Sequence, residues 1–155
     1  TIKAFLPELV ARPEAALVNV ASMGAYAPVP GQSVYGATKA AVAQLSRALH
    51  SELMETNVAV TGVFPGAIGT NISINSGIMT EEQAKQMAAS AGDQARKTTA
   101  PAEAGRQIIE AIEKGSYEIF IGGDARIMSR LSRLNPKNAA GLIYKQMKGL
   151  LSSMN

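Results

Sequence analysis

Three short apolar segments rich in β-branched residues alternate with longer helix-forming segments along this chain, and that alternation constrains the fold most. The pattern predicts strands at residues 16–21, 58–64 and 117–121. Helices are predicted between them, at 33–55 and 101–114. Because strands that alternate with helices of this length pair in parallel through right-handed crossovers, we expect an α/β fold with a parallel three-stranded sheet.

Two regions of the chain lie outside this alternation of strands and helices. Residues 67–99 are too long for an ordinary connection, and long connections in compact domains are commonly lids or binding loops. We expect a helix from about Thr80 to Ser90 within them. Residues 126–155 carry six cations and no acid, although the whole chain has 15 cations and 12 acids. We therefore divide the chain into a domain at 1–125, with 67–99 as its substrate loop, and a basic amphipathic helical tail at 126–155.

The composition excludes several kinds of site. The chain has no Cys and one His, so it has neither a thiolate nucleophile nor the ligands of a multi-histidine metal centre, and we expect no metal. A net charge of +3 without any Trp gives no support for nucleic-acid binding. No apolar run approaches the about 20 residues of a membrane span, and we expect a cytoplasmic protein.

Residues able to do chemistry follow the predicted strands, at the edge where open parallel sheets bind ligands. Ser22 follows the first strand, residues 65–70 follow the second, and residues 122–124 follow the third. Tyr35 stands near the start of the long helix, and Lys39 follows it one turn later. This i, i+4 spacing places the phenol and the ammonium on one face of the helix.

The Tyr-x-x-x-Lys spacing alone has little specificity, because short motifs also occur by chance. A second pair, Tyr144 and Lys148, has the same spacing but lies in the tail and follows no strand. The two pairs therefore differ in the residues that surround them and not in their spacing.

Several motifs in a fixed order surround the first pair. They are Asn-Val-Ala-Ser at 19–22, Gly24, Pro-Gly-Gln at 30–32, Tyr-Gly-Ala-Thr-Lys-Ala-Ala at 35–41 and Phe-Pro-Gly-Ala-Ile-Gly-Thr at 64–70. In this order and spacing the chain resembles the carboxyl-terminal half of a short-chain dehydrogenase/reductase, over roughly residues 1 to 125. The resemblance implies that the three strands are the last three of seven in a Rossmann-like doubly wound sheet, so that strand 16–21 presents an open edge.

The resemblance implies an NAD(P)-dependent oxidoreductase that interconverts a carbonyl and a secondary alcohol on a small, fairly apolar substrate. Ser22 would polarise the substrate carbonyl, Tyr35 would be the general acid/base, and Lys39 would bind the nicotinamide ribose and favour the phenolate. Tyr35 and Lys39 would thus also contact the cofactor. The residues implied to line the nicotinamide are Pro65, Gly66, Ile68 and Thr70. A homo-oligomer built partly from the tyrosine-bearing helix is implied as well.

The resemblance places the family's glycine-rich phosphate turn, and the residue that selects NAD or NADP, before Thr1. We therefore expect this chain alone to be inactive, and the choice of NAD or NADP, the substrate and the reaction direction stay open. A dehydratase or epimerase relative is a further alternative. So is a non-catalytic remnant or interaction module that binds partners or an anionic surface through its basic tail.

Two groups of apolar residues allow two interpretations each. We expect the tail to dock on the protein or on another subunit rather than on a membrane surface. The apolar residues of the 67–99 loop either belong to the core or line a substrate pocket; they are Ile72, Ile74, Ile78, Met79 and Met87.

Overall fold

The computed structural model describes residues 1–77, 80–83, 85–86 and 98–152 of the chain. The elements within these ranges are, in chain order, α1 (Ile2–Val10), β1 (Ala15–Val20), α2 (Ser33–Glu52), β2 (Val58–Pro65), α3 (Ile72–Asn75), α4 (Pro101–Glu113), β3 (Glu118–Ile121), α5 (Gly123–Leu134) and α6 (Pro136–Ser152). A single turn of 3-10 helix at Met23–Ala25 joins β1 to the segment that leads into α2.

The three strands form one parallel sheet in the order β1-β2-β3, which confirms the predicted α/β fold. Val20 lies opposite Val63, and Phe64 lies opposite Phe120, so all three strands end at the same edge. Because the strands are parallel and adjacent in the sheet, the loops that follow them also meet at that edge.

The central strand β2 is covered on both faces, which explains its nearly continuous run of β-branched and aromatic residues. Val60 packs with Leu49 of α2, and Val63 packs on the opposite face with Ala104 of α4. Val63 and Phe64 are both 0% exposed. Helices on both faces of a parallel sheet are the doubly wound arrangement that the sequence indicates.

Most predicted elements lie within a few residues of their predicted positions. The helix predicted at 33–55 ends at Glu52, because Leu53 leaves the helical backbone region with φ −105° and ψ 7°. The helix predicted from Thr80 begins as expected: Gln83 N donates to Thr80 Oγ1 at 3.2 Å, and Thr80 N donates to Gln83 Oε1 at 2.8 Å. Its continuation at 87–90 lies outside the described residues, as do Ile78, Met79 and Met87.

The tail is helical and packs on the domain through one of its faces. Met128 of α5 and Ile143 of α6 form a buried cluster with Ala27, and Leu131 packs against it. Helix α5 begins at Gly123, a few residues before the predicted start of the tail. None of the helices in the described ranges combines the length and the hydropathy that crossing a membrane requires.

A network of side chains around Glu118 ties the tail to the sheet and to α2. The Glu118 carboxylate, 9% exposed, accepts from Arg47 Nε at 2.8 Å and from Arg133 Nη2 at 2.7 Å. Tyr26 donates its hydroxyl hydrogen to the same carboxylate, and its own oxygen accepts from both arginines. Burial raises the pKa of Tyr26. Because Arg133 belongs to α5, this carboxylate fixes one end of the tail.

Candidate active site

The end of β1 places Ser22 at the start of the 3-10 turn. Ser22 has an extended backbone, with φ −173° and ψ 159°, and its Oγ accepts a hydrogen bond from Gly24 N at 3.1 Å. This cap fixes the direction in which the chain leaves the sheet and holds the hydroxyl at the carboxyl edge.

Tyr35 lies against the same turn, and Gly24 makes this approach feasible. A Cβ added at Gly24 would stand 3.1 Å from Tyr35 Cε1 and 3.5 Å from Ser22 Oγ. The ring and the hydroxyl therefore border one small space that a larger residue would fill. Tyr35 is 45% exposed, so part of its side chain is accessible to a bound molecule. Ser22 and Tyr35 thus lie on either side of Gly24.

Lys39 completes the group from the next turn of α2. Its Nζ donates to the backbone oxygen of Val20 at 3.3 Å and lies 5.9 Å from the centre of the Tyr35 ring. The bond to Val20 is an anchor on the last residue of β1, so the ammonium is held at the strand end beside the phenol. Hydroxyl, phenol and ammonium thus lie at one edge of the sheet.

The loop after β2 lies at the same edge and is held from both sides. Gly66 N donates to Ile121 O at 2.9 Å, which continues the pairing of β2 with β3. Farther along, Ile68 forms a parallel bridge with Thr99, in which Gly69 N donates to Thr99 O at 3.0 Å. Thr70 turns back, since its N donates to Ile68 O at 2.8 Å. The predicted lining residues are therefore parts of one ordered turn.

These residues have the chemistry that a nicotinamide and its ribose require. Tyr35 and Lys39 offer a hydroxyl and an ammonium group to a ribose, and Ser22 and Tyr35 both border the space beside Gly24. Residues 65–70 supply a backbone turn at the neighbouring strand end. The donor set therefore fits the nicotinamide half of a dinucleotide.

The structure also shows polar features near the site whose contacts the sequence does not predict. Asp124, at the start of α5, accepts from Ala67 N at 2.7 Å with its Oδ2. Asn19 Nδ2 is buried and has no hydrogen-bond partner among the described residues. Both residues lie near the end of a strand, which is a signal in the sequence, but the bond of Asp124 to Ala67 cannot be inferred from local spacing.

Several known proteins match this chain. The profile of the family described as short chain dehydrogenase matches residues 1–82. The "Putative oxidoreductase SadH" of Mycobacterium tuberculosis is 33% identical over 134 residues, which are 85% of this chain and 48% of that protein. The chain spans about half the length of this relative. Its similarity to the "Dehydrogenase/reductase SDR family protein 7-like" of Anopheles gambiae is 30% identity over 77% of this chain and 36% of that one.

Solved structures match the fold as well. A short chain dehydrogenase from Burkholderia cenocepacia in complex with NADP superposes with a TM-score of 0.70 at 24% identity, over 92% of this chain and 52% of that chain. A short chain dehydrogenase/reductase from Burkholderia phymatum in complex with NAD gives a TM-score of 0.65 at 24% identity, over 84% and 51% of the two chains. Identities at this level establish the fold.

Proposed function

This chain belongs to the short-chain dehydrogenase family, and from that premise we propose that its protein is an NAD(P)-dependent oxidoreductase that interconverts a carbonyl and a secondary alcohol. One observation carries the proposal: Ser22, Tyr35 and Lys39 meet at the end of β1, beside the ordered 65–70 turn at the end of β2. The NADP and NAD in the two Burkholderia structures support a nicotinamide cofactor and leave the choice between the two open.

The chain's own residues would bind the substrate and move one proton. Ser22 would donate a hydrogen bond to the substrate oxygen. During reduction Tyr35 would donate its hydroxyl proton to the carbonyl oxygen, and during oxidation its phenolate would accept the proton of the alcohol. Lys39, anchored on Val20, would place positive charge beside the phenolate and hold the ribose. The nicotinamide, when bound, supplies or accepts the hydride.

The remaining predicted contacts concern the orientation of the cofactor and the choice of substrate. The 65–70 turn would line the nicotinamide through Pro65, Gly66, Ile68 and Thr70. A cleft of about 370 Å³ has Gly24 in its lining, together with Ala25, Ala27, Pro28 and Val29. Because these side chains are apolar, the cleft supports an apolar substrate.

Contacts between the tail and the rest of the chain favour the enzyme over an interaction module that binds anionic surfaces. Arg126 donates to Phe120 O at 3.1 Å, and Arg133 bonds to Glu118. Two of the six tail cations therefore hold the tail to its own domain. We also propose a homo-oligomer, supported by Val34 and Leu45, which are apolar side chains exposed on α2.

The test is Tyr35→Phe in the full-length protein, assayed for turnover of a panel of apolar ketones and alcohols with NADH and NADPH or their oxidised forms. Tyr144→Phe is the matched control, because Tyr144 precedes a lysine at the same spacing and lies in the tail. We expect Tyr35→Phe to lose at least about a hundredfold in kcat, the usual contribution of general acid–base catalysis, and Tyr144→Phe to retain wild-type turnover. Equal turnover in both variants would refute the role of Tyr35.

A further inference from the structure

A single hydrogen bond links the start of α5 to the loop after β2. Asp124, the second residue of α5, accepts from Ala67 N at 2.7 Å. The two residues are far apart in the sequence, and the carboxylate reaches across from the end of β3 to the end of β2. The N-cap residue of α5 is Gly122, which has no side chain. The bond found for this carboxylate therefore holds a neighbouring element and does not cap the helix.

Two glycines provide the space in which this carboxylate lies. A Cβ at Gly66 would overlap both oxygens of Asp124, and a Cβ at Gly122 would overlap Oδ1. Gly122 also has φ +98°, a conformation that side chains disfavour. The backbone at Gly66 and at Gly122 therefore lies so close to the Asp124 carboxylate that a side chain at either position would overlap it.

The opposite side of Ala67 is held as well. Its carbonyl accepts from Thr99 N at 2.9 Å, so both polar groups of the Ala67 peptide backbone are engaged. Asp124 fixes the N–H and Thr99 fixes the C=O. Because Ala67 lies between Gly66 and Ile68, these two bonds determine where the predicted nicotinamide-lining backbone stands relative to the end of β1.

We propose that Asp124 is a positioning residue for the nicotinamide end of the cofactor, acting through the Ala67 backbone. This inference rests on the proposed function, since it assigns the 65–70 turn to the cofactor. Loss of the carboxylate would free the Ala67 N–H and allow the turn to shift. The phosphate and adenosine end of the dinucleotide has no contact with this turn in the proposed arrangement, so its binding would not depend on Asp124.

The test compares two ligands in the full-length protein, by calorimetric titration. The first is the reduced dinucleotide that the wild type binds. The second is the matching ADP-ribose, with or without the 2′-phosphate, which lacks only the nicotinamide. Hydrogen bonds to charged groups have the strength of about a tenfold change in Kd. We therefore expect Asp124→Ala to raise the dinucleotide Kd about tenfold and to leave the ADP-ribose Kd within about twofold of wild type.

Two further variants sharpen this comparison. Asp124→Asn keeps an oxygen that can accept from Ala67 N, and we expect it to bind the dinucleotide within about threefold of wild type. Glu113→Ala removes an exposed carboxylate near the end of α4 and should change neither Kd. If Asp124→Ala does not fold, Asp124→Ser, whose side chain is too short to reach Ala67, replaces it in the same comparison.

The outcomes separate this inference from the proposed function. Equal weakening of both ligands would mean that Asp124 supports the fold in general, and no change in either would mean that the bond is without effect; both results overturn the inference. A wild-type protein that binds ADP-ribose and the dinucleotide equally would place the nicotinamide away from this turn and overturn it too. A wild-type protein that binds no dinucleotide would refute the proposed function itself.

Discussion

Removal of the Glu118 carboxylate should destabilise the protein far more than removal of an exposed carboxylate that also bonds arginine. Glu118 is 9% exposed and bonds two guanidinium groups, at 2.8 and 2.7 Å. Breaking a fully buried ion pair by removing one partner costs about 3–5 kcal/mol. Arg47 and Arg133 are 30% and 51% exposed, so water solvates part of the charge that they would retain. We therefore expect Glu118→Ala to lower the free energy of unfolding by about 2–3 kcal/mol.

The assay is urea unfolding of the full-length protein at constant pH, followed by circular dichroism. Glu118→Gln keeps the size of the side chain and one accepting oxygen, so its loss should be about 1 kcal/mol. Glu103→Ala is the matched control, because Glu103 also bonds an arginine, Arg106, but on the exposed surface of α4. Its loss should be much smaller than that of Glu118→Ala, because an exposed ion pair adds little stability. Equal losses in Glu118→Ala and Glu103→Ala would refute the argument from burial.

Two further predictions concern the site and the surface. Gly24→Ala would place a Cβ 3.1 Å from Tyr35 Cε1 and displace the ring, and we expect about tenfold lower kcat. Gly141→Ala, whose Cβ meets no described atom within 4 Å, should behave as wild type. An unchanged kcat in Gly24→Ala would show that the ring position does not matter. Hydrogen bonds from Arg106 and Gln107 lower the pKa of Glu103 to about 2 from an ordinary 4.5. The stability that this bonding adds is present above about pH 4.5 and is lost as the pH falls towards 2. An NMR titration of the Glu103 carboxyl with a midpoint near 4.5 would contradict this prediction.

The sequence predicts the sheet and the main helices because their signals are local. Val58 to Phe64 form a β-branched and aromatic run closed by Pro65 and Gly66, and that run became the fully covered central strand. The i, i+4 spacing of Tyr35 and Lys39 likewise predicts their common helix face, and the ammonium lies 5.9 Å from the centre of the ring as a result.

Contacts between distant residues were not predictable in this way. Arg47 and Glu118 are 71 positions apart, and Ala67 and Asp124 are 57 positions apart. Nothing in the spacing of a lone carboxylate indicates which distant N–H or guanidinium it will meet. The tail illustrates the same point: its charge excess is evident from the sequence, but the internal bonds of Arg126 and Arg133 depend on how α5 packs against the sheet.

We propose that Ser22, Tyr35 and Lys39 form one catalytic group beside the 65–70 turn. The most direct test is a crystal structure of the full-length protein with a nicotinamide dinucleotide and a ketone substrate or inhibitor. We expect the ligand's oxygen within about 3 Å of both Ser22 Oγ and the Tyr35 hydroxyl. A ketone bound with its oxygen out of reach of both hydroxyls, while the crystals still turn it over, would contradict the claim.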